Sequence, residues 1–372
     1  MLRLARIVLR EVALPLKEPW VTTFGELRAR PLLLVEAFQD GLAGYGEASP
    51  LPHPYYTEET VQTAWHILEE FLIPLALSRE WECPRAFAAS AQVVRRNGMA
   101  KAGIEGALWD LEAKLAALPL HRLLNGVRPE VPAGIALGFA PSIDALVRRV
   151  GEALNAGYRR VKIKVKPGWD VEPVRALREA FGDFPLMVDA NGAYTLHDAE
   201  RLRALDAFGL LMIEQPLGPD DLVEHAALQA RLSTKLCLDE SLTSLHMVEQ
   251  ALQLGSCRAV CLKPGRVGGL TEALAIHDLC LERGVDLWCG GMLESGVGRA
   301  HNLALASLPG FTVPGDISPS DRYWDRDVVW PPVRMTPAGA IALPQAPGIG
   351  VELDAEAVEH FTVRARIFER TG

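Results

Sequence analysis

The sequence predicts an α/β fold, a (β/α) barrel preceded by an α+β capping domain at the N-terminus. The first observation is a regular spacing of charged residues, because Lys164, Asp189, Glu214 and Asp239 stand 25 residues apart and Lys263 follows after 24. The second is that each of them closes a short apolar run typical of a buried strand. A step of about 25 residues fits one strand, one helix and two loops, the repeating unit of such a barrel.

The capping domain is predicted over residues 1–128. Alternating apolar residues at 4–16 and 32–38, followed by a glycine-containing turn region at 41–46, indicate an antiparallel meander. Two helical patterns follow it. Thr57 is expected to cap the first helix, and Asn97 is expected to begin the second, which runs through Leu115.

The barrel is predicted over residues 129–330, with a first strand at 134–138 and the five strands that end in charged residues after it. Runs at 285–291 and 311–316 bring the count to eight. Helical patterns lie between the strands, for example at 245–254, where Gly255 ends the helix. Because eight strands close a barrel, we expect residues 331–372 to return to the capping domain.

Composition indicates a globular enzyme. Of 372 residues 49% are hydrophobic and 23% charged, and the net charge of −9 comes without a basic arm, so we expect no nucleic-acid partner. Charges interrupt the apolar residues of segment 1–16, which predicts a strand rather than a signal peptide. The sequence contains no apolar run long enough to cross a membrane, so we expect no membrane span. Six cysteines without a C-x-x-C pair predict reduced thiols and a cytoplasmic protein.

Four basic residues are candidates for the chemistry. Strand alternation places Lys162 and Lys164 on one face, where two like charges would depress each other's pKa and help one amine to act as a base. The alternative is a solvated, lysine-rich strand end. Lys263 would lie across the barrel, and Arg266 could lower the pKa of Lys263 or, equally, form a surface ion pair.

Three carboxylates, Asp189, Glu214 and Asp239, end successive strands between the two lysine positions. Their hard oxygen atoms suit Mg²⁺ or Mn²⁺ better than Zn²⁺. A single Asp after a strand is most often a helix cap or an ion-pair partner. Three neighbouring anions repel one another unless a cation lies between them, so the set predicts a metal site.

These residues resemble the enolase superfamily, and more specifically its o-succinylbenzoate synthase and N-acylamino acid racemase group. The resemblance spans nearly the whole chain. It rests on the motifs VKIKVKPGWD at 161–170, VDAN at 188–191, IEQP at 213–216, LDES at 238–241, GGMLESGVGRAHN at 290–302, PGD at 314–316 and RYW at 322–324.

The resemblance implies a barrel of the modified TIM type and a divalent cation, Mg²⁺ or Mn²⁺, held by the three carboxylates. It makes Lys164 and Lys263 the acid/base pair and Lys162 an electrostatic aid. The implied reaction removes the α-proton of a small carboxylate substrate through an enediolate. It leads to dehydration to o-succinylbenzoate, a menaquinone precursor, to racemisation of an N-acyl amino acid such as an N-succinylamino acid, or to both. We also expect a homo-oligomer.

Substrate contacts are predicted in the strand ends and in two lid loops, 20–26 and 49–56. Ala136 stands where the family commonly has serine, which removes a hydroxyl that could contact substrate. The candidate substrate-binding residues are Ala136, Asn191, Gly291, Met292, Phe24 and Tyr55. Two related activities stay open, dipeptide epimerisation and muconate cycloisomerisation, and so does a non-catalytic barrel that binds metal and anions.

Overall fold

The computed structural model describes residues 1–22 and 25–370. The strands are β1 (Arg6–Thr22), β2 (Gly25–Gln39), β3 (Leu42–Ala48), β4 (Glu130–Pro132), β5 (Gly134–Leu137), β6 (Arg160–Lys164), β7 (Leu186–Asp189), β8 (Ile213–Glu214), β9 (Leu236–Leu238), β10 (Ala259–Leu262), β11 (Asp286–Cys289), β12 (Val329–Trp330), β13 (Ala340–Ala342), β14 (Glu352–Leu353) and β15 (Thr362–Glu369).

The helices alternate with the strands through the middle of the chain. They are α1 (Val61–Ile67), α2 (Ile73–Leu77), α3 (Pro84–Ser90), α4 (Gly98–Leu115), α5 (Leu120–Leu123), α6 (Ile143–Asn155), α7 (Val171–Phe181), α8 (Ala199–Arg203), α9 (Val223–Gln229), α10 (Leu245–Leu254), α11 (Pro264–Val267), α12 (Leu270–Arg283), α13 (Gly296–Ala306) and α14 (Ala355–Phe361). In the described part of the chain, every helix is too short or too polar to cross a membrane.

The N-terminal cap is an antiparallel sheet with helices packed on it. Its strand order is β15-β1-β2-β3, so the last strand of the chain pairs with the first. Apolar residues such as Leu9 and Val35 face Ile104 and Leu108 of α4 in one buried cluster. The alternation that predicted the meander therefore reflects a sheet with one face against helices.

The first cap helix begins later than predicted. Thr60, not Thr57, is its N-cap, because the Thr60 side chain accepts from the Thr63 backbone N–H while the Thr63 hydroxyl accepts from the Thr60 N–H. The prediction that Asn97 begins the second long helix is confirmed, since α4 starts at the next residue.

The second part is a curled parallel sheet of seven strands in the order β11-β10-β9-β8-β7-β6-β5. The predicted eighth strand at 311–316 is not a regular strand, because Pro314 has no backbone N–H to donate. This segment nevertheless spans the gap between the two sheet edges. Leu287 bridges Phe311 on one side, and Ala133 bridges Gly315 on the other.

An apolar layer fills the sheet interior below the charged strand ends. Met187, Met212, Cys237 and Cys261 form a buried cluster with Trp288. Each of the first four lies two residues before Asp189, Glu214, Asp239 or Lys263, so alternation along the strands puts the charged side chains inside as well, one layer higher. The thiols of these two cysteines are free, as predicted.

Candidate active site

The strand ends bring the predicted charged residues together at the C-terminal edge of the parallel sheet. Lys164 of β6 lies opposite Asp189 of β7 in the register, and Asp189 lies opposite Glu214 of β8. Asp239 and Lys263 follow directly after β9 and β10. Apart from Lys164, which is partly exposed, these side chains are buried.

Lys162 is the most enclosed of the lysines. Its Nζ lies 2.8 Å from Glu214 Oε2, 2.7 Å from Asp316 Oδ2 and 3.4 Å from Asp189 Oδ2. Burial lowers the pKa of Lys162, but the charges of these three carboxylates outweigh burial and raise that pKa well above its ordinary value. The expectation that Lys164 depresses this pKa is therefore wrong, because carboxylates and not a second ammonium dominate the surroundings of Lys162.

Lys164 is held by a short chain of polar groups. Its Nζ donates to Asp189 Oδ2 at 2.7 Å and to Asn191 Oδ1 at 2.5 Å. The Asn191 amide nitrogen donates in turn to Glu240 Oε1 at 2.8 Å. Because the amide uses its oxygen for the lysine and its nitrogen for the carboxylate, Glu240 fixes the orientation of Asn191.

Lys263 is held on the other side by the cap and the barrel together. Its Nζ donates to Asp239 Oδ2 at 2.7 Å and to the Tyr56 hydroxyl at 2.6 Å, and that hydroxyl donates to Asp239 Oδ2 at 2.8 Å. Burial lowers the pKa of Lys263, but Asp239 outweighs burial and holds the pKa well above its ordinary value. Tyr56 belongs to the lid loop, so the cap touches this lysine directly.

Arg266 is buried beneath Lys263 rather than paired at the surface. It forms an ion pair with Asp239 and donates to the carbonyl oxygens of Cys261 at 2.7 Å and Leu242 at 3.0 Å. Its charge acts to lower the pKa of Lys263, as expected, but the nearer charge of Asp239 has the larger effect.

The three carboxylates share a low-dielectric site and titrate differently. Burial, followed by repulsion from Asp189, raises the pKa of Glu214 to about 8. Burial also acts to raise the pKa of Asp189 and Asp239, but neighbouring cations outweigh it and hold both pKa values below the ordinary range. Oxygen atoms of Glu214 and Asp239 and the Cys261 sulfur lie within 4.8 Å of one another. The carboxylate oxygens of Glu214 and Asp239 are hard donors that fit a divalent cation, and Asp189 is not part of this group of three.

A cavity of about 330 Å³ opens above these groups. The predicted site residues that line it are Ala136, Lys162, Lys164, Asp189, Asn191, Lys263, Gly291, Met292 and Tyr55. Glu214, Asp239 and Arg266 lie deeper. Phe24 lies outside the described residues.

The cap supplies much of the cavity wall. Trp20 of β1 packs edge-on against Tyr323 with the ring centres 6.1 Å apart, and both rings face the cavity. The loop that follows β3 contributes Leu51, Pro52, His53, Tyr55 and Tyr56. Tyr55 is 63% exposed and stacks on His53, whereas its neighbour Tyr56 reaches the buried groups.

Sequence reasoning missed several residues of this site, among them Tyr56, Glu240 and Asp316, which bond to the predicted residues. Tyr56 sits in a loop without periodicity, so nothing in the sequence favoured it over Tyr55. Glu240 directly follows Asp239. Asp316 ends the segment 311–316 that was predicted as the eighth strand. The search for a charged residue at the end of each strand would have identified it there.

Known proteins resemble this chain over both parts. Residues 4–125 match the mandelate racemase / muconate lactonizing enzyme N-terminal domain, and residues 145–358 match the enolase C-terminal domain-like family. An o-succinylbenzoate synthase from Geobacillus kaustophilus is 50% identical, with 98% of each chain covered. An N-succinylamino acid racemase from Thermus thermophilus is 46% identical, covering 98% of this chain and 99% of that one.

The solved structure of an enolase-superfamily member from Listeria innocua superposes with a TM-score of 0.97 at 39% identity, with both chains covered completely. A hydrophobic dipeptide epimerase from Enterococcus faecalis is more distant, 30% identical over 82% of this chain and 88% of its own length. The chain therefore belongs to the enolase superfamily, and its parallel sheet and cap form the modified TIM barrel and capping domain that the sequence predicted.

Proposed function

We propose that this enolase-superfamily chain removes the α-proton of a small carboxylate substrate with the help of a divalent cation, as an o-succinylbenzoate synthase, an N-succinylamino acid racemase, or both. The observation that carries the proposal is that Lys164 and Lys263, from strands separated by three others, line one cavity beside three buried carboxylates. Relatives at 46–50% identity that bear both names support it.

Asp189, Glu214 and Asp239 would hold the cation, for which we propose Mg²⁺ or, alternatively, Mn²⁺. When bound, the cation supplies positive charge that stabilises the substrate carboxylate while its α-carbon loses a proton. Oxygen atoms of Glu214 and Asp239 lie within 4.8 Å of each other, and Asp189 is buried opposite Glu214 on the neighbouring strand, which supports these three carboxylates as the donor set. The lysines that pair with them here would then be released toward the substrate.

Lys164 and Lys263 are the proposed acid/base pair. In racemisation, one lysine takes the α-proton from one face of the substrate and the other returns a proton to the opposite face. In the synthase reaction, one lysine takes the α-proton, the β-hydroxyl takes up a proton and leaves as water, and the ring becomes aromatic. Lys162 is proposed to hold positive charge near the substrate carboxylate, and Arg266 to tune the pKa of Lys263.

The remaining cavity residues are proposed to bind substrate. Asn191 presents its amide beside Lys164, while Gly291 and Met292 form one wall and Ala136 another. Tyr55 lies at the exposed rim. Phe24 stays a prediction from the sequence.

The proposed division of the chain is a capping domain at 1–128, a barrel at 129–330 and a C-terminal segment at 331–372 that returns to the cap. The two family matches at 4–125 and 145–358 support the division into cap and barrel, and the pairing of β15 with β1 supports the return of the chain's last strand to the cap. A role in menaquinone biosynthesis, a cytoplasmic location and a homo-oligomeric state stay predictions.

The alternatives have less support. Dipeptide epimerisation and muconate cycloisomerisation would use the same bases, but the relatives at 46–50% identity carry neither name. A non-catalytic barrel would gain nothing from lysines on two sides of the carboxylates.

Chelation tests the proposal. Treatment with EDTA should abolish both o-succinylbenzoate formation and racemisation of an N-succinylamino acid, and Mg²⁺ or Mn²⁺ should restore them. Activity that persists after thorough chelation would remove the carboxylates from their proposed role, and restored metal without either activity would favour an alternative.

A further inference from the structure

A buried arginine outside the proposed chemistry joins the cap to the barrel. Arg30 of β2 is fully buried. Its Nη1 donates to Pro50 O at 2.6 Å and to Pro31 O at 3.0 Å, and its Nη2 donates to Met292 O at 2.9 Å and to Ser49 O. One guanidinium thus binds carbonyl oxygens from three separate segments of the chain.

Burying the charged guanidinium of Arg30 costs free energy. Burial lowers the pKa of Arg30 to about 10, although the charges of Glu47 and Glu294 oppose this effect. Neither carboxylate forms an ion pair with Arg30 among the described residues. Carbonyl dipoles replace the carboxylate. Only arginine offers five N–H donors in one plane, so lysine at this position would lose most of these bonds.

A buried glutamate ties the same segments together from the other side. Glu47 of β3 accepts from the Ser49 hydroxyl at 2.7 Å, from Ser295 N at 3.2 Å and from Gly298 N at 3.1 Å. Ser49 therefore lies between Arg30 and Glu47, and both reach the loop and helix that follow β11. The start of the lid loop is clamped to the barrel at this point.

The clamped segments carry two walls of the cavity. Residues 51–56 follow the clamp directly and have no regular secondary structure, so their position depends on how the loop ends are fixed. Tyr56 at the end of this stretch bonds to Lys263 Nζ at 2.6 Å. Met292, whose carbonyl oxygen Arg30 binds, lines the cavity itself.

We infer that Arg30 is a positioning residue for one half of the reaction, because it fixes the lid loop so that Tyr56 holds Lys263 in place. Lys164 is positioned instead by Asp189, Asn191 and Glu240, none of which touches Arg30. Loss of Arg30 should therefore harm proton transfer at the Lys263 face of the substrate more than at the Lys164 face, since only Lys263 is held by the lid loop. The inference rests on the proposed two-base chemistry.

The test uses the full chain with its divalent cation and the two enantiomers of N-succinylphenylalanine in deuterated water. Exchange of the α-proton is followed by NMR. One enantiomer should lose this exchange in Lys263→Ala, and that enantiomer identifies the face of the substrate that Lys263 serves. In Arg30→Lys and Arg30→Met, exchange at that face should fall about 10- to 100-fold, and at least about fivefold more than exchange at the other face, because the cavity walls are shared but the contact with Lys263 is not.

Arg128→Lys is the matched control, because Arg128 also donates to carbonyl oxygens, those of Ala306, Leu308 and Pro309, away from the lid loop. It should leave the ratio of the two exchange rates unchanged. Equal loss at both faces in the Arg30 variants would show a merely structural role and overturn the inference.

A second measurement separates the clamp from the proposed function. Hydrogen–deuterium exchange of backbone amides should speed up in residues 51–58 of the Arg30 variants without substrate, and not in Arg128→Lys. Unchanged protection of the loop would overturn the inference even if catalysis falls. If the parent protein exchanges the α-proton of neither enantiomer, racemisation of this substrate is excluded, and loop protection alone then decides whether Arg30 fixes the loop.

Discussion

Replacing Asp239 with asparagine tests the charge balance at the centre of the site. Asp239 accepts from Lys263 and Tyr56 and pairs with Arg266, all in a buried setting. Burial acts to raise its pKa, but Arg266 and Lys263 hold that pKa well below the ordinary value. Its stabilising effect is therefore complete at neutral pH and is lost only as the pH falls through this low pKa.

Asparagine keeps the shape of Asp239 and leaves Lys263 and Arg266 without their shared anion. Breaking a buried ion pair by removing one partner costs about 3–5 kcal/mol. Each kcal/mol shifts the Tm of a domain of 150–250 residues by about 2–4 °C. The Tm of the metal-free variant should therefore fall by roughly 6–20 °C, and calorimetric titration should show weaker binding of Mg²⁺ or Mn²⁺.

Glu172→Gln is the control, because Glu172 pairs with Arg175 at 2.5 Å while both side chains are about half or more exposed, at 67% and 46%. An exposed pair contributes about 0–1 kcal/mol, so this Tm should move little. If Asp239→Asn melts within about 2 °C of the parent and binds the cation equally well, the roles given to Asp239 are wrong.

Three further predictions concern single side chains. Glu105→Gln removes a carboxyl group whose pKa burial raises to about 7. The protonated carboxyl stabilises the parent fully at low pH, and this stabilisation is lost as the pH rises toward 7. The Tm of the variant should therefore rise relative to that of the parent between pH 5 and 8, and a constant difference would contradict this. Lys162→Met removes the ammonium group that Glu214 and Asp316 share, so kcat should fall about 100-fold. A near-parental kcat would exclude the electrostatic role of Lys162. A Cβ on Gly290 would lie 2.7 Å from Lys263 Cε, so Gly290→Ala should lower kcat at least about tenfold, whereas Gly218→Ala, with open space, should not.

The period of about 25 residues explains why so much of the fold could be predicted. Strand alternation also explains why Asp189, Glu214 and Lys263 meet, since residues at the same strand position face the same interior. The predicted eighth strand failed locally because Pro314 interrupts its hydrogen bonding, although the segment still occupies the expected place.

Loop positions and charge balance could not be predicted in the same way. Tyr56 rather than Tyr55 reaches Lys263 because the irregular loop is fixed by Arg30 and Glu47, which join it to the barrel segment at Met292 and Ser295, far away in sequence. The raised pKa of Lys162 depends on Asp316, which the fold brings from 154 residues away. Neither contact leaves a periodic signal in the chain.

Lys164 and Lys263 are proposed to exchange a proton each with a different face of the α-carbon. The decisive measurement is α-proton exchange of both enantiomers of an N-succinylamino acid in deuterated water, with Lys164→Ala and Lys263→Ala. Each variant should lose racemisation in both directions and keep exchange of only one enantiomer, a different one in each variant. Equal residual exchange of both enantiomers in either variant would contradict the two-base account.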